Sequence, residues 1–220
     1  MALVDVALAS RTRPVSSSRD QLLPLLPPLA PLLPGGGLQR GAVIAVDAGD
    51  GTSGNGGGAG TLAFALLAAA SAAGSWCAAV GTGHPGILAI AELGVDLDRL
   101  ALVPIPGSAW PEVTAILVDD MDVVLVCPPG RVGSGVARRL VARARQKRTV
   151  LVVRAGRGAW PEGPDIQLTV EEGKWVGVDR GHGHLEGRHV EVVTSGRRSA
   201  VRGVRTGLWL PASSGAVAVG

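Results

Sequence analysis

The rhythm of hydrophobic positions divides this chain before any motif is considered. Residues 1–20 are polar around Ser16, Ser17 and Ser18 and are expected to form a mobile leader. From Leu22 to Pro34 leucine alternates with proline. Repeated proline removes the amide donors a long helix needs. The leucines therefore predict an apolar strap laid on the domain, with a PxxP docking peptide as the sharper alternative. Short, continuously apolar runs follow at 43–46, 76–80, 100–103, 123–127 and 149–153. Helical patterns lie between them at 61–73, 86–93, 111–119 and 134–147. Uninterrupted β-rich runs alternating with helices predict a mostly parallel sheet covered on both faces. After residue 160 the rhythm becomes shorter and glycine-punctuated. Segments 165–170, 174–179, 188–194 and 204–210 read as a small antiparallel section, and 211–220 as a disordered tail. The expected organisation is a leader and strap at 1–34 and a single α/β domain at 35–210. Within that domain the core spans 35–155 and the antiparallel section 160–210. Ala-Trp-Pro-Glu occurs at 109–112 and again at 159–162. The first suits a helix start, with proline in the first turn, and the second reads as loop.

Composition adds limits. In 220 residues, 46% are hydrophobic and 18% charged, enough apolar content for one sizeable core. High glycine and proline with 3% aromatics read partly as high-GC coding, which carries no functional message. Cys77 and Cys127 both lie in apolar runs, which favours two buried thiols over a disulfide. The N-terminus lacks a signal-peptide pattern, and no apolar stretch approaches the roughly 20 residues of a membrane span. The expectation is a cytoplasmic protein with no membrane partner. Net charge is +3 but uneven: residues 1–130 hold 5 Arg against 11 acids, and 131–220 hold 16 Lys and Arg against 7 acids. A basic second half suits nucleic acid, an acidic partner or a solvated arginine surface.

The candidate chemistry centres on residues 49–60, Gly-Asp-Gly-Thr-Ser-Gly-Asn-Gly-Gly-Gly-Ala-Gly. Strand, glycine loop and helix together build a phosphate cradle, because successive backbone N–H groups and the helix N-terminus attract anions. A nucleotide-hydrolysing loop also needs a lysine and a magnesium-holding hydroxyl. The only lysines are Lys147 and Lys174. Counting from Gly49, the sixth position is Gly54, which puts Asn55 in the lysine slot and Gly56 in the hydroxyl slot. With Gly58 closing the loop the slots hold Ala59 and Gly60. What remains is backbone and helix dipole, about 0.3–2 kcal/mol for an anion. Gly49-x-Gly51-x-x-Gly54 also fits a dinucleotide fingerprint. That reading needs an acid about 20 residues on, where this chain has Val80-Gly81-Thr82-Gly83. The third reading is a loop that only connects strand to helix.

The order of segments resembles the RecA-like recombinase core over roughly residues 30–155. Pro34-Gly35-Gly36-Gly37-Leu38-Gln39-Arg40-Gly41 is similar to the glycine turn leading into that family's nucleotide loop. Leu93-Gly94-Val95-Asp96-Leu97-Asp98 is similar to its "LGVD" entry into the third strand. Val123–Cys127 stands where the Walker B strand would be, and Thr149–Val153 resembles the next core strand. The resemblance implies a RecA-like P-loop-type fold. It also implies four losses: the lysine, the magnesium hydroxyl, the Walker B acid (here Cys127) and the general base (here Gly83). The DNA-binding loop is short, at Arg154–Pro164. With its Leu/Pro strap the chain looks most like the actinobacterial ImuA-prime group. That resemblance implies a non-catalytic, cofactor-free pseudo-ATPase of the DNA-damage (SOS) mutasome, acting in translesion synthesis. The implied partners are an ImuB-type Y-family polymerase homologue, RecA, or both.

Three further constellations carry candidate chemistry. Asp119, Asp120 and Asp122 read as a helix-to-strand turn, with a metal site as the alternative. His182, His184 and His189 read as a hairpin turn, with a zinc site as the alternative. In the helix at 134–147, Ser134 is the expected cap, and Val136, Ala137, Leu140, Val141 and Ala144 form an apolar stripe. Arg138, Arg139, Arg143, Arg145, Lys147 and Arg148 cover the rest as a DNA or partner face. Two other functions remain: an active DNA-dependent ATPase using an unconventional cation, such as Arg40 or a neighbouring subunit's arginine, and an NAD(P)-binding Rossmann protein.

Overall fold

The computed structural model describes residues 21–49, 55–179, 182–196 and 203–220. The leader, Gly51 and Gly54 lie outside the described residues. The strap comes first. β1 (Leu22–Leu23) and β2 (Leu38–Gln39) pair antiparallel, and 3-10 turns over Pro27–Leu32 and Pro34–Gly36 fill the bend between them. The prolines at 24, 27 and 31 face solvent, while Leu23, Leu25, Leu29, Leu32, Leu33 and Leu38 are buried. The turn over Pro27–Leu32 lies against the antiparallel strands of the main sheet. This is a strap. A PxxP ligand needs polyproline II geometry, whereas these prolines sit in and beside a 3-10 turn with the leucines turned inward.

β3 (Val43–Ala48), α1 (Ala59–Ala72), β4 (Cys77–Val80), α2 (Ile87–Glu92), β5 (Leu100–Val103), α3 (Trp110–Asp120), β6 (Val123–Val126), α4 (Ser134–Lys147) and β7 (Val150–Val153) follow in alternation. All five strands pair parallel. They are short and, in β4, β6 and β7, wholly buried, which is why their sequences show no polar alternation. β8 (Ile166–Asp179) joins β3 in parallel and then turns back through β9 (His182–Gly196), β10 (Val204–Trp209) and β11 (Ala218–Val219), all antiparallel. The order across the nine strands is β11-β10-β9-β8-β3-β7-β6-β4-β5. The fold is a mixed α/β domain with a large, mostly parallel sheet, helices on both faces and an antiparallel section.

The sheet separates two cores. One holds the strap leucines, α1 and Leu168, Val170, Val190, Val192, Leu208 and Leu210. The other holds Trp110, Val118, Ala137, Leu140, Val141 and Ala144 of α3 and α4 against the opposite sheet face. α1 is buried nearly all round, so it shows no amphipathic stripe.

The C-terminal part differs from expectation in three ways. The segments at 165–170 and 174–179 form one strand, β8, with a bulge between Val170 and Gly173. His182, His184 and His189 lie in β9 and not in a turn. The segment at 211–220 is not a disordered tail. Leu210 and Val217 are buried, Ala212 donates its N–H to the Ala216 carbonyl, and β11 pairs with β10.

Candidate functional site

The glycine loop leaves the C-terminal end of β3. Gly49 donates its N–H to the Val170 carbonyl at 2.8 Å, so β3 stays zipped to β8 up to the start of the loop. Asn55–Gly58 form a 3-10 turn, with Gly57 and Gly58 in the left-handed region at φ 51° and 107°. Ala59 and Gly60 then open α1, whose N-cap Gly58 offers no side-chain oxygen. The strand–loop–helix frame is therefore present.

What stands at the loop is an arginine that the sequence reading missed. Arg188 of β9 brings its Nη2 within 2.7 Å of where a Cβ on Gly58 would lie. Its Nε donates to the Leu210 carbonyl at 3.1 Å, and its guanidinium lies 4.9 Å from the centre of the Trp175 ring. Burial lowers its basicity. Arg188, Trp175, Glu92 and Thr61 line a cleft of about 330 Å³ beside Gly58 and Gly60. Nothing in the local sequence of the loop signals this contact, because it joins residues 130 positions apart across the sheet.

Arg40, the cation considered for an active site, is at the wrong end of the sheet. It precedes β3, whereas the loop follows it, about 20 Å further along a six-residue strand. Its Nη1 donates to Asp122 Oδ1 at 2.7 Å, and Asp122 Oδ2 accepts the Trp76 N–H at 3.1 Å. Two of the Asp119, Asp120 and Asp122 trio, Asp119 and Asp122, are likewise taken by separate partners. Asp119 takes a bidentate contact from Arg143, with Lys147 Nζ at 3.7 Å. Arg143 holds its carboxyl below the usual range. Among the described residues no cluster of three metal-ligating side chains forms.

Cys127, read as the lost Walker B acid, directly follows β6, and Gly83, read as the lost base, lies three residues past β4. Cys127 is buried and accepts from Arg154 Nε at 3.2 Å; burial pushes its thiol up despite that cation. Cys77 is also a buried free thiol, pushed up to about 12 chiefly by burial. Gly81 has φ 75°, and a Cβ there would come closer than 3.0 Å to the Cys127 carbonyl oxygen. Gly83 has φ 70° and open space where a Cβ would stand, and its N–H donates to the Pro104 carbonyl at 3.0 Å.

A second polar feature was also missed. Asp47, on the β3 face opposite α1, accepts from Gln167 Nε2 at 3.1 Å, and burial raises its pKa. It lines an open cleft of about 690 Å³ with Arg157, Thr169, Glu171 and Glu191. A raised folded-state pKa means the fold disfavours the ionised carboxylate. That cost is present at neutral pH and absent once both folded and unfolded states are protonated. Asp47→Asn is thus expected to raise Tm by a few degrees at pH 7, with the gain gone near pH ~3. Thermal melts at the two pH values check this.

On α4 the stripe Ala137, Leu140, Val141 and Ala144 is buried as expected. The cap is Gly133, with Ser134 the first helical residue and making no cap bond. All six basic residues are exposed, but four of them are shared with acids. Arg138 meets Glu162 at 3.6 Å, Arg145 meets Asp165 at 3.4 Å, and Arg143 and Lys147 meet Asp119. Arg139 and Arg148 make no ion pair with a described residue. Surface pairs are weak, so the face stays positive while its arginines are held in place. His189 packs edge-on to Trp209 with centroids 5.4 Å apart, and His184 is exposed.

These features define an α/β domain built around a strand–glycine loop–helix unit whose helix start is met by an arginine from a distant strand. The chain belongs to the MT3502 N-terminal domain family, whose model matches residues 31–162, from the strap through β7. It is similar to the uncharacterized protein Rv3395c of Mycobacterium tuberculosis, 46% identical over 100 residues. The match takes in 45% of this chain and 49% of that relative, so the chain spans about half the length of the relative it matches. Among the described residues no helix is long and apolar enough to cross a membrane.

Proposed function

We propose that this protein is a non-catalytic, RecA-like accessory of translesion synthesis in the DNA-damage (SOS) response, of the ImuA-prime type. It works in the cytoplasm by binding proteins: an ImuB-type Y-family polymerase homologue, RecA, or both. The basic face of α4 is available to the DNA they occupy. The observation that carries the pseudo-ATPase half of this reading is the state of the crevice. The loop lacks its lysine, Cys127 replaces an acid, and the backbones beyond β4 and β6 meet too closely at Gly81 for a side chain there. Without a lysine, a magnesium ligand and a base, the positioning and charge stabilisation of phosphoryl transfer are lost. The polymerase and RecA partners follow from the resemblance to the ImuA-prime group.

One observation favours a second reading, an ATPase with an unconventional cation. Arg188 supplies a guanidinium at the N-terminus of α1. Its bond to Leu210 and its stacking on Trp175 argue that it closes the loop and does not wait for phosphate.

Calorimetry with ATP–magnesium, alongside hydrolysis assays with and without single-stranded DNA, separates the two. The expected result is no turnover and no micromolar binding, in the native chain and in Arg188→Ala alike. Micromolar affinity with turnover that Arg188→Ala abolishes would establish the ATPase. Co-purification with the polymerase homologue and with RecA tests the partners, and failure to bind either refutes the mutasome reading.

A further inference from the structure

We propose that the outer edge of β5 is a docking site for an extended, basic-flanked segment of a partner protein, which adds a tenth strand to the sheet. The proposal rests on the protein-binding reading above and assigns it a surface. β5 ends the nine-strand sheet and pairs with β4 alone; its Leu100 N–H is taken by the Leu97 carbonyl, and no strand pairs with the rest of its outward edge. Protected edges carry a charge, a proline or a bulge, or are very short. The opposite edge of this sheet, β11, has only two residues. β5 reads Leu100-Ala101-Leu102-Val103, with no charge and no proline inside it, and all four residues are half-buried. Pro104 and Pro106 stop it at its C-terminal end.

The elements that precede and follow β5 in the chain expose large apolar side chains. Leu88 of α2 is 73% exposed, Ile105 just beyond β5 is 69% exposed, and Ile116 of α3 is 66% exposed. α2 packs with one core and α3 with the other, so these side chains belong to helices on the two faces of the sheet. Strand addition takes affinity from main-chain hydrogen bonds and specificity from pockets for alternate side chains. The unpaired edge offers the first, and Ile105, exposed just past its end, offers a contact for the second.

Charge selects the occupant. Residues 86–122 carry seven acids against Arg99 alone; Asp119 and Asp122 are taken by Arg143, Lys147 and Arg40, which leaves Glu92, Asp96, Asp98, Glu112 and Asp120. That arginine lies over the Trp76 ring, 4.8 Å from its centre. Two such edges would repel, which disfavours self-pairing of β5, and an acidic segment or a nucleic acid would be repelled too. A strand with apolar alternate residues and flanking Lys or Arg fits.

The test selects roughly ten-residue peptides from a randomised displayed library on the full chain. Binding of the winners is then measured on Leu88→Asp, Ile105→Asp and Val219→Asp. Leu88 and Ile105 are exposed, so folding is expected to survive, and circular dichroism checks it. Val219, 70% exposed on the far edge, is the control. The expected winners alternate apolar residues between basic flanks and slow amide exchange in Leu100–Val103. They bind Leu88→Asp and Ile105→Asp at least tenfold more weakly, and Val219→Asp unchanged. No winners, acidic winners, or winners that bind Ile105→Asp as well as the native chain overturn the proposal. So does concentration-dependent self-association that Ile105→Asp abolishes, which would make a second copy the occupant. If peptides dock here while the polymerase homologue and RecA do not bind, the edge stands and the mutasome reading falls. If those partners bind Ile105→Asp undiminished, the edge falls and the mutasome reading stands.

Discussion

Leu32→Ala is expected to destabilise the domain by about 2–5 kcal/mol, the range for truncating a fully buried leucine without collapse of the cavity. In a domain of this size that lowers Tm by on the order of 10 °C. Leu32 and Leu29 are both 0% exposed, and they belong to the same core as α1 and the antiparallel strands. The strap leucines are therefore core residues, although they come from a segment that reads as low-complexity. Removing both approaches the whole stability of a typical domain, about 5–15 kcal/mol, though neighbouring truncations need not add. Pro31→Ala is the control. Pro31 is exposed, so its loss is expected to cost less than about 1 kcal/mol. A docking peptide would behave in the opposite sense, with Pro31→Ala abolishing a partner and Leu32→Ala leaving stability unchanged. Thermal or urea unfolding of the three variants decides between them.

The sheet's parallel half was legible because its strands are buried on both faces. Leu100-Ala101-Leu102-Val103 and Val123-Val124-Leu125-Val126 are apolar without interruption, and the structure returns those spans as β5 and β6. The antiparallel half was harder to read. Its strands face a core on one side and water on the other, and Gly173 and Gly177 break the alternation inside β8 without ending it. A bulge reads in sequence as a turn. The tail misled for a similar reason: Ala212-Ser213-Ser214-Gly215 looks disordered, yet Ala212 and Ala216 pair across it. For the candidate site, absences were visible and placements were not. A missing lysine can be read locally. Arg188 at Gly58, or Asp119 shared by Arg143 and Lys147, depends on which strands and helices become neighbours, and no local period encodes that. Arg40 shows the same limit in reverse, being near the loop in sequence but separated from it by the length of β3.

Gly81→Ala is expected to cost about 2–5 kcal/mol, combining left-handed strain of ~1–2 kcal/mol with overpacking of ~1–3 kcal/mol. The obstacle is the Cys127 backbone carbonyl, and it is fixed from several directions. Cys127 N–H donates to the Val80 carbonyl at 2.8 Å, and Gly81 N–H donates to the Val103 carbonyl at 2.9 Å. Relief therefore requires shifting β4 against β5 or β6, and no rotamer change can supply it. Gly83→Ala is the matched comparison. Its φ of 70° imposes the same strain, but nothing lies within 4 Å of the added Cβ. It is expected to cost only the ~1–2 kcal/mol of strain. Chemical denaturation of the pair isolates the close approach as the difference between them. Equal losses would mean that the ends of β4 and β6 part readily. The crevice would then admit a side chain at Gly81 as it already does at Gly83, and the missing lysine, hydroxyl and acid alone would stand against catalysis. A larger loss for Gly81→Ala, accompanied by faster amide exchange in β5, would show that this junction also stiffens the edge strand. Scaffold and docking edge would then depend on the same glycine.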